Sequence, residues 1–562
     1  MHIGIVEEPI VTKRLAIHQK RKRTFSLASV FVCTLLFLTA TAVNLFKAFH
    51  IDDAFHLEAA QWIQHHPLKP MSGYVNWYQH QEPLHHFNQP PLYFYLIALV
   101  GSLFGYSEVS LHLLQAFFTL CAIFFFHQLA RLLLVRKAWL LTAFFVLSPA
   151  FLVNQNLMVD VPLVALMLAF CFVLLTPRIQ SSAGRYLLAA SVLSVCLMIK
   201  YSALPLVGVF ITALVLRKHS KYVVFLLIPV TVLGLWSYAN YLEYGSIHLL
   251  DRPKLPTSWH RLEDITGKLI ICLGAVSPFT LALYSGLLAT HKSLQTKLVV
   301  GSLLGLAGIA VGTLSQLISE AGARSVLYGL FLCNGALAIG LAAKRLPGCL
   351  RAWRAHDQQR EQALILFSWL LCVGGFIVLF TPFVATRHIL LLLPPLLLLS
   401  GRWLDRLSLT MATVTLGFSA GLGLLLSLSD WCYADFYRQT ATQMSSYVSK
   451  ERRVWSLGHW GWQWYAKQAG LLHYDAESSQ LRPGDWVVCP VGIDHQVLSG
   501  AIKTRVVKQI IPNPTLQTFI STGQYASFYT ATYEALPYRL TTLPIDTVMI
   551  YEVVDEGVAR RK

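Results

Sequence analysis

Residues 91–105 read PLYFYLIALVGSLFG, and whether this run crosses a membrane decides the topology of the whole chain. It is apolar and opens on Pro90–Pro91. As a helix its fifteen residues would reach about 22 Å, at ~1.5 Å per residue, against a hydrocarbon layer of ~30 Å. Thirteen other apolar runs surround it, the first at Ser26–Phe46 and the rest near 109–130, 138–153, 162–176, 186–199, 203–216, 222–239, 267–290, 298–318, 325–343, 364–381, 388–401 and 408–427. Charge arbitrates, because cytoplasmic loops collect Lys and Arg. If 91–105 does not cross, residues 1–428 place 23 basic residues on the side of the amino terminus and nine on the other. If it does cross, every later loop changes side and the counts become 13 and 19. The first arrangement obeys the positive-inside rule. The expectation is therefore thirteen spans, a cytoplasmic basic amino terminus over residues 1–25, and 91–105 as a helix at the outer interface.

Composition excludes the other broad classes. Of 562 residues, 55% are hydrophobic and only 13% charged. A soluble domain carries about 25% charged residues, so this chain cannot coat a water-soluble globule of its size. The net charge of +17 would suggest nucleic acid in a soluble protein. Here it follows from basic loops beside anionic headgroups, and no nucleic-acid-binding motif accompanies it. The ten cysteines contain no CxxC pair. Only Cys432 and Cys489 lie beyond the last apolar run, where a disulfide between them is conceivable.

The composition changes near Ser429. Short β-like runs at 453–457, 485–491, 504–511 and 547–554 flank a helical pattern at 462–469, and RPGD at 482–485 is a turn signal. With thirteen spans, this α/β domain over 429–562 lies outside the cytoplasm, and 26–428 forms the membrane domain. No internal repeat is visible.

The first outer loop holds FHIDDAFHLEAAQWIQHH at 49–66. Phe55, Ala59, Trp62, Ile63 and His66 share one helical face, as expected of a helix lying on the membrane. Asp52 and Asp53 stand at its start. Asp160, in NQNLMVDVPL, falls on the same outer side, as do Lys200 in MIKYSALP and Arg387–His388 in TRHILLLLPP. Each acid alone reads equally as a helix cap, and each cation as a snorkelling helix end. Together, ionised groups at membrane depth are functional candidates, because each costs about 2.5–3.5 kcal/mol to place there. The loop is also rich in histidine, but HExxH and Cys/His ligand spacings are absent.

These features, in their order, resemble the membrane glycosyltransferases of the GT-C fold, closest to the protein O-mannosyltransferases and lipid A aminoarabinose transferases. The carrying stretches are Asp52–Asp53 with Glu58, NQPPLYFYLIALVGSLFG (88–105), NLMVDVPL (156–163), MIKYSALP (198–205) and TRHILLLLPPLLLL (386–399). The resemblance implies about thirteen spans, a cavity at the outer face and a polyprenyl-phosphate sugar donor. It also implies catalytic roles for Asp52, Asp53 and Asp160. Lys200, Arg387, His388, Gln89, His86 and Tyr93 are the expected substrate-binding set. The chain departs from the family in three places: Asp53 stands where Glu is usual, Gln89 where several relatives carry Lys, and Asn88 where some carry a zinc-binding Glu. No cofactor is implied with certainty, though Asp53 or Asp160 could hold a divalent cation. The expected reaction is inverting transfer of a sugar to an acceptor hydroxyl on a glycan, lipid or protein, and no nucleic acid is expected as a partner. The alternative is a transporter or flippase of lipid-linked sugars, which would also want charges at membrane depth.

Overall fold

The computed structural model describes residues 27–87, 89–133, 135–252, 258–280, 283–284, 292–351, 358–448, 452–523, 526–530 and 536–555. The expected basic amino terminus, 1–25, lies outside them. The described helices of the amino-terminal half are α1 (Leu27–Asn44), α2 (Asp53–His65), α3 (Leu92–Phe104), α4 (Glu108–Leu132), α5 (Ala138–Val146), α6 (Pro149–Val153), α7 (Asp160–Leu175), α8 (Ser182–Ile199), α9 (Leu206–Leu216) and α10 (Leu227–Tyr244). They are followed by α11 (Trp259–Val276), α12 (Lys292–Leu314), α13 (Glu320–Ala343), α14 (Leu346–Arg351), α15 (Gln358–Phe380), α16 (Thr386–Leu404), α17 (Leu409–Met444) and α18 (Trp460–Gln468). Among the described residues, seven helical segments are long and apolar enough to cross a membrane. The chain is an integral membrane protein.

Serine starts many of these helices. Ser107, Ser148, Ser181, Ser258, Ser319 and Ser408 each accept a hydrogen bond from the backbone N–H three residues on. An N-cap hydroxyl satisfies a donor that the helix itself leaves unpaired, which matters most where water is scarce. Ser148 also changes the expected outline. The apolar run at 138–153 is two helices rather than one, because Pro149 at the first position of α6 has no N–H to continue the ladder of α5.

The stretch 91–105 is helix α3, lying along α2. Tyr95 Oη donates to the Pro67 carbonyl (2.5 Å), and Tyr106 Oη, just past the other end, donates to Gln64 (3.0 Å). The loop charges separate into two groups. At one end Asp405 accepts from the N–H groups of Arg136 and Lys137, Arg217 pairs with Glu361, and Arg402 meets Gln359. Asp52, Asp160, Lys200 and Arg387 gather at the other. Small residues set the tightest helix crossing: a Cβ on Gly274 of α11 would lie 1.8 Å from the Phe331 carbonyl oxygen of α13.

The carboxyl-terminal domain is built on five strands, β1 (Val454–Ser456), β2 (Leu472–His473), β3 (Trp486–Pro490), β4 (Lys503–Ile510) and β5 (Val548–Asp555), in the sheet order β2–β1–β3–β5–β4. β1 runs parallel to β2 and β3, while β5 is antiparallel to β3 and β4. The four expected β runs and the helix α18 are all present. Two details differ from expectation. Helix α17 continues through the anticipated boundary at 428/429 to Met444. The described residues between Leu516 and Thr541 also leave the sheet and pack on the helical bundle, where Phe519, Phe528, Tyr538 and Leu540 bury against Val153, Ala275 and Phe331. Among the described residues none of the ten cysteines is in a disulfide, Cys432 and Cys489 included. Trp455, Trp462 and Trp464 are buried, as befits a domain core.

The domain docks on the first outer loop. A Cβ on Gly461 would lie 2.2 Å from the Phe49 carbonyl oxygen. Tyr465 Oη bridges the Phe49 N–H (2.7 Å) and Glu108 (2.8 Å), and Gln463 donates to Glu58 (2.9 Å).

Candidate active site

Asp52 is the residue before α2, and Arg387 is the second residue of α16. Arg387 Nη1 donates to Asp52 Oδ2 at 2.5 Å. Asp160 opens α7, and Lys200 ends α8. Lys200 Nζ donates to Asp160 Oδ1 at 2.8 Å. The two pairs form one site, since Arg387 lies in the field of both Asp52 and Asp160. Four segments far apart in sequence thus present two carboxylates and two cations at one end of the bundle. Asp52 keeps 21% of its side chain exposed and Asp160 only 1%. Asp52 is therefore the carboxylate an incoming group can reach. Asp160 Oδ2 is buried with no protein partner, and its paired oxygen anchors Lys200.

The loops carrying the acids are tied together beneath the site. Asn154 donates to the Ala150 carbonyl (2.7 Å) and to Thr386 Oγ1 (3.3 Å), next to Arg387. Thr386 in turn donates its N–H (3.1 Å) and its hydroxyl (2.7 Å) to the Phe528 carbonyl, so the excursion from the carboxyl-terminal domain caps the start of α16. Lys47 Nζ donates to Asn156 Oδ1 at 2.5 Å and pairs with Asp430 of α17. Asp430 also accepts from Tyr529 Oη (2.7 Å) and Thr522 Oγ1 (3.0 Å). Sequence reasoning missed this buried network. In the sequence Lys47 reads only as one of the nine basic residues on the side away from the amino terminus, and Asp430 stands three residues past the last apolar run.

The backbone just before Asp52 is strained. Ile51 has φ +48°, a left-handed conformation that a β-branched residue adopts only when its surroundings impose it. Trp460, with φ +62°, packs beside it. The docked domain thus holds the Asp52 turn in place.

The remaining expected residues separate into those near the charged pairs and those set apart. Gln89 Oε1 accepts from His56 Nε2 at 2.7 Å, and His56 lies in the field of Asp52, Asp160 and Lys200. Burial holds the His56 imidazole below its ordinary pKa. His388 is used internally, its Nδ1 accepting from the Ala385 N–H (3.0 Å). Tyr93 is fully buried and donates to Gln115 (2.7 Å), so it is a packing residue rather than part of a substrate surface. His86 pairs with Glu82 (3.2 Å) on the exposed rim. Asp53 is fully buried. Its Oδ2 accepts from the His50 N–H (2.8 Å), and burial pushes its pKa up to about 8. Buried and bonded to the His50 N–H, this carboxyl ties the 50–53 turn together.

The residues present do not fit a divalent cation. Among the described residues no group of three His, Cys, Asp or Glu side chains is arranged to hold one. Asp52 and Asp160 each face a cation, and Asp53 faces away. Asn88 lies outside the described residues.

Residues 88–238 match the family model described as dolichyl-phosphate-mannose-protein mannosyltransferase. The structure also aligns with ArnT from Cupriavidus metallidurans bound to undecaprenyl phosphate, at 15% identity over 82% of this chain and 93% of that one, with a TM-score of 0.44. It aligns with the Archaeoglobus fulgidus oligosaccharyltransferase in complex with Zn and sulfate at 12% identity, over 82% of this chain and 68% of that one, with a TM-score of 0.43. No curated protein matches the sequence.

Proposed function

We propose that this membrane glycosyltransferase, whose residues 88–238 carry the dolichyl-phosphate-mannose-protein mannosyltransferase pattern, moves a sugar from a polyprenyl-phosphate donor to an acceptor hydroxyl with inversion. The observation that carries the reading is the convergence of Asp52–Arg387 and Asp160–Lys200 at one end of the bundle. Loop charge supports that end facing away from the cytoplasm, in a plasma membrane.

The acceptor oxygen attacks the anomeric carbon from the face opposite the phosphate. The new C–O bond forms as the bond from the anomeric carbon to the phosphate oxygen breaks. Asp52 takes the acceptor proton, help worth about 10²–10⁴-fold. Polyprenyl phosphate leaves with the bonding pair. It is a weak base and needs no proton, only positive charge nearby, which Arg387 and Lys200 supply.

The pairing of each cation with a carboxylate gives the phosphate a second effect. An anion bound to Arg387 competes with Asp52 for the same guanidinium. Donor binding thereby frees the Asp52 oxygen that must accept the proton, and the base is exposed only when a donor is in place. Asp160 stays paired and keeps Lys200 aimed at the site.

The test is Asp52→Asn, with donor binding and sugar transfer measured side by side on purified protein in detergent. The expected result is retained binding with transfer reduced about 10²–10⁴-fold. Transfer at near the wild-type rate would remove Asp52 as the base. Failure of the wild-type protein to consume any polyprenyl-phosphate sugar would favour the transport reading.

A further inference from the structure

His56 is fully buried on α2, one turn beyond Asp52. Its backbone N–H donates to the Asp52 carbonyl oxygen (3.1 Å), so the two side chains leave the same face of the helix. The reaction proposed above uses Asp52 and gives His56 no task. We propose that His56 Nδ1 accepts a hydrogen bond from a hydroxyl of the donor sugar, which makes His56 a specificity-determining residue for a neutral sugar with free hydroxyls. This rests on the sugar-transfer reading and names the part of the donor that the residue recognises.

The hydrogen bonds of the ring assign its two nitrogens. Gln89 Oε1 can only accept, so at 2.7 Å His56 Nε2 carries the proton. Burial disfavours the imidazolium form, and Nδ1 therefore keeps its lone pair. Nδ1 is itself buried and has no hydrogen-bond partner among the described residues. The neighbouring rings do not provide one. Phe55 and Phe94, with ring centroids 5.8 and 5.3 Å away, have no polar hydrogen, and Tyr93 Oη is spent on Gln115. A buried acceptor left bare is uncommon and costs stability, so packing alone would be better served by an apolar ring.

The place of the atom points to what pairs with it. His56 lies in the field of Asp52, Asp160 and Lys200, beside the charged pairs. Two more polar atoms there are buried without a protein partner, the acceptor Asp160 Oδ2 and the donor Arg387 Nε. Two bare acceptors and one bare donor match hydroxyl groups, which both give and accept. The phosphate of the donor has no proton to give at neutral pH and the prenyl tail has no polar group, which leaves the sugar. A sugar carrying a carboxylate would set acceptor against acceptor. Nδ1 is covered while Asp52 and Arg387 are paired, so the sugar reaches it in the step in which the donor phosphate parts that pair.

The test uses two substitutions that separate the ring nitrogens. Counted in bonds from the backbone, the Gln amide group ends where Nε2 stood and the Asn amide group where Nδ1 stood. The purified full chain is titrated with bare polyprenyl phosphate and with polyprenyl phosphates carrying mannose, glucose, galactose or N-acetylglucosamine, and transfer is followed alongside. In wild type the transferred sugar should tighten binding over the bare lipid. His56→Gln should lose about tenfold or more of that gain, with the Kd for bare lipid unchanged, while His56→Asn keeps most of it. A residue that only packs against Gln89 would give the reverse order, because Gln retains that contact and Asn does not. The reverse order, or an undiminished gain in His56→Gln, would overturn the role of His56 while wild-type transfer leaves the enzyme reading standing. Should His56→Gln not fold, monodeoxy forms of the transferred sugar are bound to wild type: loss of one hydroxyl should weaken binding about tenfold, and no loss at any position would overturn the proposal. Wild type that neither binds nor transfers any of these sugars would remove the sugar-transfer reading itself.

Discussion

The buried pair Lys47–Asp430 offers the sharpest energetic test, because both side chains are almost wholly dry, at 1% and 0% exposure. Removing one partner of such a pair costs about 3–5 kcal/mol, as the other is left charged without compensation. The structure orders the two variants within that range. Lys47→Met leaves Asp430 with the hydroxyls of Tyr529 and Thr522 and with His50 Nε2 at 3.6 Å. These donors soften the loss, so about 3 kcal/mol is expected. Asp430→Asn leaves the Lys47 ammonium with Asn156 and an amide oxygen, so about 5 kcal/mol is expected. Independent effects would sum to about 8 kcal/mol in the double variant. The double variant removes both charges, so it should instead cost about 3–4 kcal/mol, a coupling of several kcal/mol. Urea unfolding in detergent, followed by tryptophan fluorescence across the full cycle, measures each value. Single variants within about 1 kcal/mol of wild type, or a double variant equal to the sum, would refute the view that this pair fastens the carboxyl-terminal domain to the acid-bearing loops.

Three further outcomes are expected. Ile51 is buried in the core as well as left-handed, so Ile51→Ala, which keeps the Cβ, should cost about 2–5 kcal/mol and Ile51→Gly, which relieves the backbone, about 1 kcal/mol less; a glycine variant less stable than the alanine one in urea unfolding would argue against stored strain. Gly461→Ala inserts a methyl 2.2 Å from the Phe49 carbonyl oxygen, and should loosen domain docking, read as faster proteolytic cleavage between Met444 and Val454. The pH dependence of unfolding should carry the mark of Asp53. Its pKa rises from 3.8 to about 8 on folding, so the native state holds an extra proton and stability falls as pH rises through that window. His50, lowered from 6.5 to about 4, acts oppositely and only up to pH 6.5. A net decline is left between pH 6.5 and 8, and Asp53→Asn should flatten it in a series of thermal unfolding curves.

Much of this arrangement is legible in the sequence because it rests on local rules. Apolar runs mark the helices, serine caps mark where many begin, and loop charge sorts the ends, which is enough to place Asp52, Asp160, Lys200 and Arg387 on one side. The pairings are another matter. Arg387 meets Asp52 across 335 positions and Lys47 meets Asp430 across 383, and no local pattern encodes such contacts. The adjacent acids show the limit most clearly. One residue along a helix turns a side chain by about 100°. That step leaves Asp52 open to solvent and sends Asp53 into the core, and only the packing around α2 determines which is which. The break at Pro149 was visible in the residue but not in the hydrophobicity. The packing of Phe519, Phe528, Tyr538 and Leu540 on the bundle had no signal, because a segment that leaves its own sheet looks like an ordinary loop.

The helix ends distinguish the two cations in the proposed reaction. Asp160 stands at the start of α7 and Lys200 at the end of α8, so each complements the dipole of its own helix. That pair is favourable before any substrate arrives. Arg387 sits at the start of α16, where the helix already presents partial positive charge. Its placement is unfavourable unless an anion is close, and in the structure Asp52 is that anion. A donor phosphate can replace Asp52 there and meet both the guanidinium and the helix terminus. Lys200 has no such incentive to leave Asp160. The phosphate should therefore bind through Arg387, with Lys200 as a fixed charge beside it. Replacing Arg387 with Gln should then raise the donor Kd far more than replacing Lys200 with Gln, a ranking that donor-binding measurements on the two variants decide.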